Sequence, residues 1–231
     1  MFTTARGLAR LASAWHRGEL IDAQHLPQGP ALLIGNHGLL GWEAVVFFSL
    51  LERHTGRVPV GLADRKIFGG RALRRILEVL GGVPGTRENA ADALAGGRHV
   101  VCYPGGSRET FKSPRQHYRL AWESTDGFAR LACATGAPVV PFAGLGVDDT
   151  FFNLGHLPLT RTLLGRYAMP LAVGIGPLPF PVRLRFRFGR PISPAAARGD
   201  PARLKRLVQD AVESMMEDHG QPARAPVPSL P

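Results

Sequence analysis

The chain has 231 residues, enough for one domain with a sizeable core. Its composition, 45% apolar and 20% charged with 28 Gly and 20 Pro, excludes a disordered polymer and fits a globular fold rich in turns. A formal net charge of +10, carried almost wholly by arginine because the only lysines are Lys66, Lys112 and Lys205, selects anionic partners: a lipid surface, the phosphates of an acyl carrier, or nucleic acid.

In chain order, Leu8, Leu11, Ala12 and Trp15 recur at helical spacing with Arg6, Arg10 and Arg17 largely opposite. That pattern fits an amphipathic helix that lies in a membrane interface or packs on the domain. Ala31 to Gly35 is a short apolar run after a Pro/Gly turn and reads as a buried strand ending before Asn36 and His37. A helix is expected over Gly41 to Arg53, a strand over Val58 to Ala63, and an amphipathic helix over Gly70 to Leu80, stopped by Gly81 and Gly82. Glu88 to Leu94 reads as a helix, and His99 to Tyr103 as a strand running into the loop Pro104 to Glu109.

Thr125 to Thr135 is expected to be helical. Pro138 to Gly146 is expected to be a strand, placed by its two prolines near an edge or end of the sheet. Asn153 to Pro181, apolar but broken by Gly and Pro, reads as surface loops and short pieces over a hydrophobic groove. Val182 to Phe188 alternates arginine with apolar residues as a half-buried strand with one basic face, and Arg203 to Asp218 reads as a closing helix. The domain boundaries follow: an amphipathic helical segment over 1–25, one catalytic domain over 26–219, and a disordered proline-rich tail over 220–231.

Cys102 and Cys133 lie in apolar runs and read as small buried hydrophobes, with no metal site implied. No stretch approaches the roughly 20 apolar residues of a bilayer span, so the expected place is cytoplasmic, peripheral to the inner face of the membrane. For chemistry, His37 follows a buried strand, a place from which a side chain projects into a cleft, and Glu43 can fold back to fix its tautomer and stabilise the imidazolium. Gly105 and Gly106 offer open backbone amides with Arg108 beside them, a loop able to bind an oxyanion or phosphate.

Four stretches carry a resemblance: Asn36-His37-Gly38 through Glu43, Gly82 through Arg87 to Ala90, Tyr103-Pro104-Gly105-Gly106-Ser107-Arg108-Glu109, and Ala137 to Phe142. In this order they resemble the four blocks of the glycerophospholipid acyltransferase superfamily, PlsC-like, and most of all its diacylglycerol-acyltransferase-like branch. The resemblance implies an α/β single domain with a central mixed, mostly parallel sheet flanked by helices. It implies an O-acyltransferase in which His37, oriented by Glu43, deprotonates an acceptor hydroxyl that attacks an acyl-coenzyme A or acyl carrier protein thioester. By position, Arg87, Gly105, Gly106, Ser107, Arg108 and Glu109 would meet substrate. No bound cofactor is implied beyond that donor.

Two departures from the commonest blocks shape the expectation. The first block is usually His-x4-Asp, whereas here Glu43 stands six positions after His37 and Trp42 occupies the acidic position. The third block is usually Phe-Pro-Glu-Gly-Thr-Arg, whereas Gly105 replaces its glutamate, which favours a neutral lipid alcohol over a lysophospholipid or glycerol-phosphate acceptor. Glu109 is expected to pair with Arg108 or Arg87, and Asp148 and Asp149 to form a solvated turn or cap. The rival readings are a serine esterase using Ser107, whose surroundings lack the Gly-x-Ser-x-Gly elbow, and a non-catalytic lipid-binding protein. No nucleic-acid motif is present.

Overall fold

The computed structural model describes residues 2–64, 71–122, 125–156, 169–176 and 178–218. The central sheet has seven strands: β1 (Glu19–Ile21), β2 (Leu32–Gly35), β3 (Val60–Ala63), β4 (Gly82–Pro84), β5 (Val100–Cys102), β6 (Val139–Leu145) and β9 (Arg185–Phe188), in the order β1-β9-β6-β2-β5-β3-β4. Only the β6–β9 pair is antiparallel; the other neighbours run parallel. This is the mixed, mostly parallel sheet that the sequence implies.

Strand geometry sends alternate side chains to opposite faces, and helices cover both. Leu32 and Ile34 of β2 join Val139 and Ala143 beneath α4 (Arg87–Ala95), α6 (Gly127–Thr135) and α7 (Pro201–Glu217), through Leu94, Phe128 and Leu204. Leu33, between them, faces Val46, Phe47 and Leu51 of α2 (Glu43–Thr55). Phe47 is fully buried, with its ring 4.4 Å from Phe142 and 4.6 Å from Phe186. Burial on both faces is why β2 and β6 are apolar at nearly every position.

Pro141 lies in an interior strand, not near an edge. It sits where the β6–β9 register slips: Phe142 pairs with Phe188 but Val139 with Ile192, three steps on one chain against four on the other. The Gly189 N–H donates to the Pro141 carbonyl at 2.8 Å, and the missing proline donor falls opposite the irregularity. Glu19–Ile21, grouped with the N-terminal segment on sequence, is a strand of the main sheet that pairs in parallel with β9, and Glu19 lies 2.9 Å from Arg183, just before that strand, and 4.0 Å from Arg185 within it.

The N-terminal segment forms helix α1 (Phe2–Trp15). It packs on α2 through its small residues Ala9, Ala12 and Ser13, with Arg6 3.4 Å from Glu52, and leaves Leu8 62% and Leu11 67% exposed. The described part of Asn153 to Pro181 is made of short pieces. It contains a second, two-stranded antiparallel sheet, β7 (Phe152–His156) with β8 (Pro170–Val173), that exposes Phe152, Leu154, Leu171 and Val173. Among the described residues, the other helices are α3 (Arg71–Val79) and the short α5 (Ser107–Thr110). The expected tail over 220–231 lies outside the described residues. No described helix is long and apolar enough to cross a membrane.

Candidate active site

β2 and β5 are neighbours at the centre of the sheet, and the loops after both open at its carboxyl edge, the side on which open α/β sheets bind ligands. Asn36, buried at the end of β2, clamps this loop to β6: its amide donates to the Gly144 carbonyl at 3.0 Å and its oxygen accepts the Gly144 N–H at 2.7 Å. His37 follows directly. Its ring stacks on Tyr103 at 4.0 Å between centroids and 11° between planes, and its Nδ1 is hydrogen-bonded to Glu43 Oε1.

Glu43 is the first residue of α2 and only 1% exposed. The longer His-to-Glu spacing is closed by a 3-10 turn, Leu39–Gly41, in which Leu40 (φ 59) and Gly41 (φ 70) are successive left-handed residues. Leucine bears that conformation at a cost of about 1–2 kcal/mol, whereas the glycine is needed for space. A Cβ on Gly41 would lie 2.8 Å from His37 Cε1 and 3.3 Å from Nε2. With Nδ1–H donated to Glu43, Nε2 carries the lone pair, and it has no hydrogen-bond partner among the described residues. This arrangement leaves Nε2 able to accept a proton while Glu43 fixes the ring.

The glycine loop is built around Glu109. A Cβ on Gly105 would fall 2.2 Å from Glu109 Cδ, so glycine is what lets this side chain fold back. The carboxylate does not pair with Arg108 or Arg87. It is fully buried and accepts the His37 N–H at 2.7 Å and the Ala121 N–H at 2.9 Å, so it joins the glycine loop to two other segments. Burial pushes the Glu109 carboxyl up, against the nearby Lys112 ammonium and the two amides. The Gly106 amide is not open either, since it closes a turn onto the Tyr103 carbonyl at 3.0 Å. The amides of Gly105 and Ser107 donate to no acceptor among the described residues.

Arg108 is half-buried on α5, beside the loop. Arg87 opens α4 after β4, exposed on the same carboxyl edge but three strands from β2, roughly 14 Å at ordinary strand spacing. Ser107 makes no hydrogen bond to His37 among the described residues, so no nucleophile–base pair of the esterase kind is formed. Asp148 is no solvated turn: it is buried, holds Lys112 Nζ at 2.9 Å with both oxygens, and accepts the Tyr118 N–H at 2.6 Å. The basic face of β9 is neutralised as well, with Arg187 held by Asp22 at 3.0 Å and Asp218 at 3.1 Å.

Sequence reasoning missed the parts that act through tertiary contact. The Asn36 clamp, the Tyr103 ring and the Glu109 bridge all lie inside the quoted blocks, but no spacing rule points to their partners. His16 and Trp42, hydrogen-bonded at 2.8 Å, lie 26 positions apart and form no motif.

The sheet and the helices that cover it form a fold already known from a solved structure. The structure is similar to the crystal structure of the 1-acyl-sn-glycerophosphate (LPA) acyltransferase, PlsC, from Thermotoga maritima, with a TM-score of 0.62 over 97% of this chain and 81% of that one at 16% identity, a likeness of fold. The chain belongs to the acyltransferase family, whose model matches residues 17–144. It is 30% identical over 209 residues to the cattle (Bos taurus) protein named DGAT1/2-independent enzyme synthesizing storage lipids, covering 90% of this chain and 61% of that one. The human (Homo sapiens) protein of the same name is also 30% identical over 209 residues, covering 90% and 63%. This chain thus spans about three fifths of the length of those relatives. The chloroplastic phytyl ester synthase 2 of Arabidopsis thaliana is 33% identical over 131 residues, 53% of this chain and 18% of that one.

Proposed function

We propose that the protein transfers a fatty acyl group from an acyl-coenzyme A or acyl carrier protein thioester to the hydroxyl of a neutral lipid alcohol at a membrane surface. The observation that carries this reading is the His37–Glu43 pair, whose Nε2 opens beside Gly41 at the carboxyl edge of the sheet. Nε2 takes the proton of the acceptor hydroxyl as its oxygen attacks the thioester carbonyl. The buried Glu43 carboxylate stabilises the imidazolium so formed. Negative charge then develops on the former carbonyl oxygen, and the Gly105 and Ser107 amides are the donors available to it. Collapse expels the thiolate, which recovers the proton from His37, leaving ester and free thiol.

Two features favour a neutral acceptor. Glu109 is a buried carboxylate inside the glycine loop with both oxygens engaged, and Gly105 stands where the commonest third block carries a glutamate. The names of the relatives, for storage lipids and phytyl esters, point the same way. Docking on the membrane is supported by the apolar side chains turned outward on α1 and β7–β8, among them Leu8, Leu11, Phe152 and Leu154. The test is incubation of purified protein with each thioester donor and a panel of lipid alcohols, lysophospholipids and glycerol phosphate on vesicles, read by mass spectrometry. Ester is expected from a neutral alcohol, with a loss of about 10²–10⁴-fold in His37→Ala. Full turnover in His37→Ala would remove the base, and product only from phosphorylated acceptors would overturn the acceptor.

A further inference from the structure

Trp42 stands where the commonest first block carries its acid, yet its indole turns away from the site. Its Nε1–H donates to His16 Nε2 at 2.8 Å, and the other ring nitrogen, His16 Nδ1, is bonded to the Val182 carbonyl at 3.0 Å. His16 is completely buried one residue beyond α1, and its own carbonyl accepts the Leu184 N–H at 3.0 Å. Accepting from Trp42 while donating to Val182 requires a neutral imidazole with the proton on Nδ1. Burial favours that form by holding the His16 imidazole below its ordinary value.

Glu43 needs an external guide. Its Oε1 meets His37, but Oε2 is buried with no hydrogen-bond partner, so no second bond fixes the direction of the carboxylate. That direction is set by the first turn of α2, which follows two left-handed residues, Leu40 and Gly41. Trp42, the residue before Glu43, is anchored across 26 positions to the end of another helix.

We propose that His16 and Trp42 are positioning residues: their hydrogen bond fixes the first turn of α2 so that Glu43 faces His37, and so ties the seating of α1 to a competent base. The proposal rests on the reading of His37 and Glu43 as base and orienter. It also explains Trp42: an indole with one donor holds the loop from outside, where an acid one residue nearer would have served the histidine directly.

Three variants separate positioning from bulk. Trp42→Phe keeps an aromatic ring and removes the donor. His16→Leu removes the acceptor and strands the indole N–H. His16→Gln keeps a side-chain oxygen able to accept from Trp42. Steady-state acyl transfer is measured beside the downfield NMR signal of the His37 Nδ1 proton held by Glu43, identified by its absence in His37→Ala. Trp42→Phe and His16→Leu are expected to lower kcat by roughly 10- to 100-fold, the scale of a misplacement of about 1 Å, with KM for the donor nearly unchanged. Both are also expected to lose or shift the proton signal, while His16→Gln retains most of the turnover and the signal. Trp42→Phe carries the test if His16→Leu does not fold. Unchanged turnover, or turnover lost with the His37 proton signal intact, overturns the proposal. Absence of acyl transfer from the unaltered protein would instead overturn the function, and the proton signal would still decide whether Trp42 and His16 position Glu43.

Discussion

Gly105 and Glu109 have to be understood together. The family's commonest loop carries a glutamate where Gly105 stands, and here the vacated space is filled by the Glu109 side chain, which reaches across it to the backbone of His37. Gly105→Ala places a methyl 2.2 Å from Glu109 Cδ, so the carboxylate must move off the His37 N–H. The expected outcome is a stability loss of about 1–3 kcal/mol with a larger proportional loss of acyl transfer, checked by urea unfolding beside the activity assay. Lys112 and Asp148 are a second buried device, linking the chain after α5 to the turn Val147–Thr150. Lys112→Met leaves Asp148 buried without its cation and is expected to cost about 3–5 kcal/mol, much of it recovered when Asp148→Leu is added. A double variant no more stable than Lys112→Met would show that the pair is not what holds these loops.

α1 shows at the scale of an element what periodicity can and cannot tell. Its helical spacing is plain in Leu8, Leu11 and Trp15, but the stripe that packs on α2 is the small one, Ala9, Ala12 and Ser13, because small side chains let two helices approach closely. Ala9→Leu is therefore expected to destabilise by about 1–3 kcal/mol through overpacking. Leu8→Ser with Leu11→Ser is expected to change stability by no more than about 0.5 kcal/mol per site and to weaken vesicle binding roughly tenfold or more, since each leucine is worth about 1.5–3 kcal/mol when buried. Flotation with vesicles, read beside thermal unfolding, checks both. The same contrast marks what was legible elsewhere. The strands of residues 31–35 and 99–103 follow from apolar runs ending in polar or glycine residues, whereas His37, Glu43 and the glycine loop stand out through the resemblance of the ordered blocks around them. The strands β1, β7 and β8 are too short or too broken by Gly and Pro to give a pattern. Glu109 on the His37 amide and His16 on Trp42 leave no local trace, since each joins segments far apart in the chain.

The response of the whole molecule to acid is set by a few buried groups with opposite signs. Burial, and then the Arg57 cation, hold the His99 imidazole below its ordinary value of 6.5; burial does the same to His16, against the Val182 carbonyl. As pH falls through 6.5, the unfolded chain takes up protons that these native histidines refuse. Their stabilisation is therefore present above 6.5 and lost as pH falls toward their lowered values. Glu109 works the other way. Its carboxyl is held above the ordinary 4.5, so its contribution is full below 4.5 and declines as pH rises through the raised value. Urea unfolding between about pH 8 and pH 5 is thus expected to show stability falling on the acid side of 6.5. His99 lies just before β5, at the end of the sheet opposite His37, so it can be altered without touching the site. His99→Gln is expected to flatten the acid limb and leave acyl transfer at about pH 8 unchanged, while Glu109→Gln removes the opposing contribution and steepens it. An acid limb of the same slope in His99→Gln would mean that His99 is not one of the groups that set it.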